Sequence, residues 1–218
     1  MNNIKQLINN QFKTFALLTV SIVFSMVLLM IRMKLTHSFF YLFLVWNLFL
    51  AVIPFAITSY LASLPKLNKF ELISWFGVWL LFLPNAPYII TDLLHLKRSD
   101  SHLLWLDILV VGSFAMVGLM LFFISILDMK NCLVKRIKLK YVNSLITIII
   151  FLCGFGVYLG RFLRYNSWEI VQDPISLFSD ILEIIFYPGQ YSEAWLFTLL
   201  YGTFLMVGFY LFKVISSK

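Results

Sequence analysis

The chain reads as an all-α, polytopic membrane protein with six transmembrane helices, an expectation that rests on three observations. It is 61% hydrophobic and only 12% charged over 218 residues, where a soluble domain carries about a quarter charged residues. Six stretches approach the ~20 apolar residues that a spanning helix needs. Most of the charges fall in short segments between or beside those stretches, as they do in loops at a membrane surface. No stretch is long and polar enough for a separate soluble domain, so residues 1–218 are expected to form a single integral membrane domain.

The first span is Thr14–Ile31. Lys5 and Lys13 precede it, as basic residues precede a signal peptide. However, the run exceeds the ~7–15 apolar residues of a signal core and lacks a small-x-small cleavage site. The second span is Phe39–Leu61, with Asn47 and Pro54 inside it. The third begins near Phe70, passes Trp75 and Trp79, and is interrupted at Pro84-Asn85-Ala86-Pro87. At about 1.5 Å per residue its clean part is too short to cross, so the residues up to Leu96 must complete it. A discontinuous helix inside apolar surroundings frees backbone groups that lipid cannot satisfy, and in several transporter folds it marks a binding site. Asn85 is expected to cap the second half, with Pro87 in its first turn, which aims a positive helix end at an anion. A proline kink that only shapes packing is the alternative. The fourth, fifth and sixth spans are Leu103–Leu127, Tyr141–Phe162 and Ala194–Phe212. Gly112 and Gly118, and Gly156 and Gly160, suggest close helix packing of spans four and five. No internal repeat is present, so inverted-repeat transporters gain no support. Between spans five and six, Asp173-Pro174 reads as a cap and first-turn proline that opens a short interfacial helix. Ser176, Ser179, Asp180 and Glu183 form its polar stripe, read as solvated.

Orientation follows from lysine and arginine placement. Lys5, Lys13, Lys66, Lys69, Lys130, Lys135, Arg136, Lys138, Lys140, Lys213 and Lys218 fall on one side of a six-span arrangement. They outnumber Arg32, Lys34, Lys97, Arg98, Arg161 and Arg164 on the other. The expected location is therefore the cell membrane, multi-pass, with N- and C-termini cytoplasmic. Most acidic residues, Asp100 among them, then lie toward the extracytoplasmic side. The net charge of +7 does not form a basic stripe with interleaved aromatics, so nucleic acid is not an expected partner. Cys132 and Cys153 have neither disulfide nor metal-ligand context.

Candidate ligand-binding residues cluster toward that outer side. Asp92 and His95, three apart, share a helix face. With His102 and Asp107 they raise a metal site, but the spacing is common by chance and no metal or other cofactor is expected. Asp107 precedes a wholly apolar run and needs an interior partner, for which Arg161 or Arg164 is the natural candidate. Arg161 and Arg164 end span five and present guanidinium groups suited to phosphate or carboxylate. Asn166 and Glu169 add polar reach, and Trp168 anchors the helix end at the lipid boundary. Snorkelling or pairing with carboxylates would explain both arginines without a ligand. No nucleophile elbow, phosphate loop or dinucleotide fingerprint is present, and no catalytic residue is assigned.

The run Phe82-Leu83-Pro84-Asn85-Ala86-Pro87-Tyr88-Ile89-Ile90-Thr91-Asp92-Leu93, then Trp105-Leu106-Asp107, then Gly160-Arg161-Phe162-Leu163-Arg164-Tyr165-Asn166-Ser167-Trp168, resembles the bacterial membrane proteins grouped as domain of unknown function 1361. The resemblance covers about Trp46 to Tyr210. It implies no activity, but it supports treating Pro84, Asn85, Pro87, Asp92, Asp107, Arg161, Arg164, Asn166 and Trp168 as one unit. The resulting expectation is an outer-face polar pocket that binds an anionic, lipid-linked or headgroup-bearing ligand in envelope metabolism, with membrane lipid as partner. A small transporter or flippase is one alternative, hinted at by Asn47, Thr58 and Ser59. A non-catalytic assembly partner is the other.

Overall fold

The computed structural model describes residues 12–64, 68–98 and 102–216. Lys5, Lys66, Asp100 and Lys218, used above for orientation, lie outside them. Among the described residues every regular element is helical. Six segments are long and apolar enough to cross a membrane. The described residues up to Cys132 form one compact unit, and those from Leu133 onward form a second.

The first unit begins with α1, Phe12–Thr36. This helix runs five residues past the expected end at Ile31, because Arg32 and Thr36 continue it rather than stop it. A 3₁₀ turn, Phe40–Leu42, leads into α2, Phe43–Ser63, which carries Pro54 within it. Helix α3, Lys69–Phe82, is capped by the Asn68 side chain, which accepts from the Phe70 N–H. The single turn α4, Asn85–Tyr88, follows, and then a 3₁₀ run from Ile89 to Arg98. Helix α5 is Leu104–Val134.

The interruption of the third span is as expected, but its geometry differs. At about 1.5 Å per residue, α3 covers only about 21 Å of a ~30 Å hydrocarbon core. The 3₁₀ run rises about 2.0 Å per residue and supplies the missing length with few residues. Neither Pro84 nor Pro87 has an N–H, so both remove ladder bonds. The chain nonetheless stays in the right-handed helical region at Leu83 and Pro84. The Ala86 N–H bonds the Leu83 carbonyl at 3.2 Å and the Tyr88 N–H bonds the Pro84 carbonyl at 3.0 Å. Asn85 is therefore not the expected cap. Its side-chain amide donates to the Phe82 carbonyl at 2.9 Å, satisfying a backbone group beside the break. No second helix of useful length begins there, so the expected positive helix end does not form.

The break packs on α5 at Gly118, where a Cβ would collide with the Ala86 carbonyl oxygen. Trp79 of α3, fully buried, donates its Nε1–H to Ser125 Oγ of α5 at 2.7 Å.

The second unit contains α6, Leu139–Phe162, the turn α7, Glu169–Gln172, then α8, Pro174–Phe186, and α9, Ser192–Ser216. Helices α6 and α9 pack along each other. A Cβ on Gly154 would lie 3.1 Å from the Thr198 carbonyl oxygen and 3.2 Å from the Gly202 nitrogen, so small residues set this approach. Asp173 caps α8 by accepting from the Ser176 N–H at 3.3 Å, and Pro174 occupies its first turn, as expected. Leu177 and Ile184 of α8 are buried with Tyr158, Leu159 and Ala194. Trp195 fixes the end of α8 by donating to the Ile184 carbonyl at 3.1 Å.

Candidate functional site

In the first unit the chemistry-bearing side chains form a buried polar layer where α1, the start of α2, the 3₁₀ run and the start of α5 carry them. Asp107 is 1% exposed, and Arg32 of α1 reaches it with an Nε–Oδ1 distance of 2.9 Å. The guanidinium also donates through Nη1 to the Ser38 carbonyl at 3.2 Å and lies 4.6 Å from the centre of the Tyr41 ring. Arginine suits this position because its planar head can pair, donate and stack at once. Tyr41 is fully buried, and its hydroxyl meets no partner at hydrogen-bond geometry. The partner of Asp107, expected on span five, is instead Arg32 of α1. Ending α1 at Ile31 hid it. An ionisable residue still inside a spanning helix needs a partner, and that is the signal that would have found it.

Asp92, also 1% exposed, accepts from Asn47 Nδ2 at 2.8 Å. His95 Nε2 lies 3.9 Å from its other oxygen. The 3₁₀ winding accounts for this, because three residues per turn stack Ile89, Asp92 and His95 along one edge. Ile89 is fully buried, and the His95 ring rests 5.0 Å from that of Phe43 and 5.9 Å from that of Phe40. Thr91 returns its hydroxyl to the Tyr88 carbonyl at 2.6 Å. Among the described residues no three His, Cys, Asp or Glu side chains converge on a point where a metal ion could sit, and His102 is exposed. Asn47 and Thr58, named as hints of a transport path, are engaged: Asn47 with Asp92 and Thr58 with the Phe55 carbonyl at 3.1 Å. Ser59 Oγ is buried without a hydrogen bond.

In the second unit α6 ends at Phe162, with Arg161 partly buried in its last turn. Arg164 takes a left-handed backbone, φ 65°, and the Tyr165 N–H returns to the Leu159 carbonyl at 3.2 Å, closing the helix end. The Glu169 carboxylate accepts from the Asn166 N–H, closing the turn just before the short helix α7. It is thus engaged by the local turn, while the Asn166 residue is exposed and Trp168 partly buried. The polar stripe of α8, expected to be solvated, is partly engaged. Tyr165 donates to Asp180 at 2.8 Å and Tyr191 to Glu183 at 2.9 Å. These bonds hold both phenols in their neutral form. The bond to Asp180 pushes Tyr165 up to about 12, helped by desolvation and by the charges of Asp180, Asp173 and Glu169. The bond to Glu183 likewise raises Tyr191.

Asn85, Asp92, His95 and Asp107, with the structural Pro84 and Pro87, thus belong to the first unit. Arg161, Arg164, Asn166, Trp168 and Glu169 belong to the second. Described residues whose regular elements are all helical, with six segments among them able to span a bilayer, define a multi-pass α-helical membrane protein. The model of the family described as protein of unknown function DUF1361 matches residues 46–207, and the chain belongs to that family. Arg32 and Tyr41 precede the matched residues. No curated protein and no solved structure matches the chain.

Proposed function

We propose that this chain works as one integral domain in the cell membrane, with cytoplasmic termini. Its extracytoplasmic face would bind the anionic headgroup of a lipid or lipid-linked ligand in envelope metabolism. Arg161, Arg164 and Asn166, at the end of α6, would face that ligand.

The observation that supports this reading is Arg164. It is exposed and has no ion pair or hydrogen bond among the described residues. It also sits at φ 65°, where glycine is favoured and a side chain costs about 1–3 kcal/mol. A guanidinium at the end of a spanning helix, kept there despite that cost and left unneutralised, suits a phosphate headgroup.

The test is binding of phosphatidic acid by the purified protein, measured by native mass spectrometry for wild type, Arg164→Lys and Arg164→Gly. Glycine relaxes the backbone while removing the charge, so lost binding is not lost folding. A charge-assisted hydrogen bond is worth about 1.5–3 kcal/mol. Arg164→Gly should therefore bind about tenfold or more weakly, with Arg164→Lys in between. Equal binding by wild type and Arg164→Gly would refute the reading.

A further inference from the structure

We propose that a groove on the second unit binds one hydrocarbon chain of a membrane lipid whose headgroup carries a protonated amine. The groove, about 540 Å³, is lined by residues of α6 and α9 alone. Its walls are aromatic. Tyr158 stacks on Phe162 at 5.0 Å, Phe197 on Tyr201 at 5.0 Å, and Phe162 meets Phe197 edge-on at 5.4 Å. Leu196, Leu200 and Phe204 are 59%, 64% and 51% exposed, so the second unit itself leaves the groove open.

Two features identify the occupant. Both helices qualify as membrane spans, so an open apolar groove along them faces hydrocarbon. From Glu193 to Phe204 the helix rises about 16 Å at about 1.5 Å per residue, close to half of a ~30 Å hydrocarbon core. The groove therefore has the depth of one leaflet and matches a single lipid chain. Its polar end carries Glu193, an exposed carboxylate in the first turn of α9 that lines the groove beside Tyr158. A carboxylate at that depth favours an ammonium headgroup over an anionic one.

The proposal is independent of the headgroup reading at Arg164 and has its own test. Native mass spectrometry reads retained lipid and oligomeric state after purification in phosphatidylethanolamine or phosphatidylglycerol. Wild type should retain phosphatidylethanolamine in preference. Leu200→Trp, which fills the groove, should lose it, whereas Leu199→Trp, at a neighbouring exposed position that does not line the groove, should keep it. Thermal unfolding of both variants controls for folding. Glu193→Gln should retain lipid without the headgroup preference. Equal retention by Leu200→Trp and Leu199→Trp, meaning bulk surrounding lipid only, would overturn the proposal. So would a dimer that dissociates on Leu200→Trp, or an unchanged preference in Glu193→Gln.

Discussion

Arg32 and Asp107 form a buried ion pair in the first unit. Two charges were removed from water, at a solvation cost offset by a 2.9 Å contact and by the Ser38 carbonyl and Tyr41 ring. Taking one partner from a buried pair costs about 3–5 kcal/mol. Arg32→Met is therefore expected to lower stability in detergent by about 3 kcal/mol, measured as a thermal or denaturant midpoint. Replacing both members with apolar residues of similar volume should recover much of the loss. At Tyr165 the relevant variable is pH. Its hydrogen bond to Asp180 raises the folded phenol above its ordinary 10.0, to about 12. A raised pKa gives stability that is fully present below pH 10 and disappears as pH rises through about 12. Tyrosinate absorbance should accordingly lose one late-titrating phenol in Tyr165→Phe.

The interrupted third span links sequence to packing at the scale of elements. Two prolines remove donors, Asn85 satisfies the Phe82 carbonyl, and Gly118 on α5 makes room for the Ala86 carbonyl. Gly118→Ala pushes a methyl against backbone that cannot turn aside. The expected loss is about 2 kcal/mol, within the range for overpacked sites. At Gly202 the added methyl meets the Phe151 ring, a side chain able to shift. Gly202→Ala should therefore destabilise less, and parallel melts of the two variants read the difference. The position of the break and the caps of α8 were legible, because prolines, asparagine and Asp-Pro act locally. The inner geometry of the break was not. Whether Asn85 accepts from a helix N-terminus or donates to a stranded carbonyl depends on the backbone staying helical through Pro84, which no spacing rule states. The 3₁₀ winding that stacks Asp92 on His95 was hidden for the same reason.

The six spans and the family were readable from apolar run length and from two long motifs, because a bilayer imposes length and polarity so strictly. The identity of buried polar partners was not, since it depends on which helices touch. Asp107 was recognised as needing a partner, yet Arg32 lies 75 residues away. The proposed orientation, with cytoplasmic termini, puts the end of α6 at the outer face of the membrane. The most direct test is single-cysteine labelling with a membrane-impermeant maleimide, after replacing the buried Cys132 and Cys153 with serine. Gln172→Cys, at an exposed position beyond α6, should react in intact cells, and Lys138→Cys only after the membrane is opened. Labelling of residue 138 but not 172 in intact cells would contradict the account.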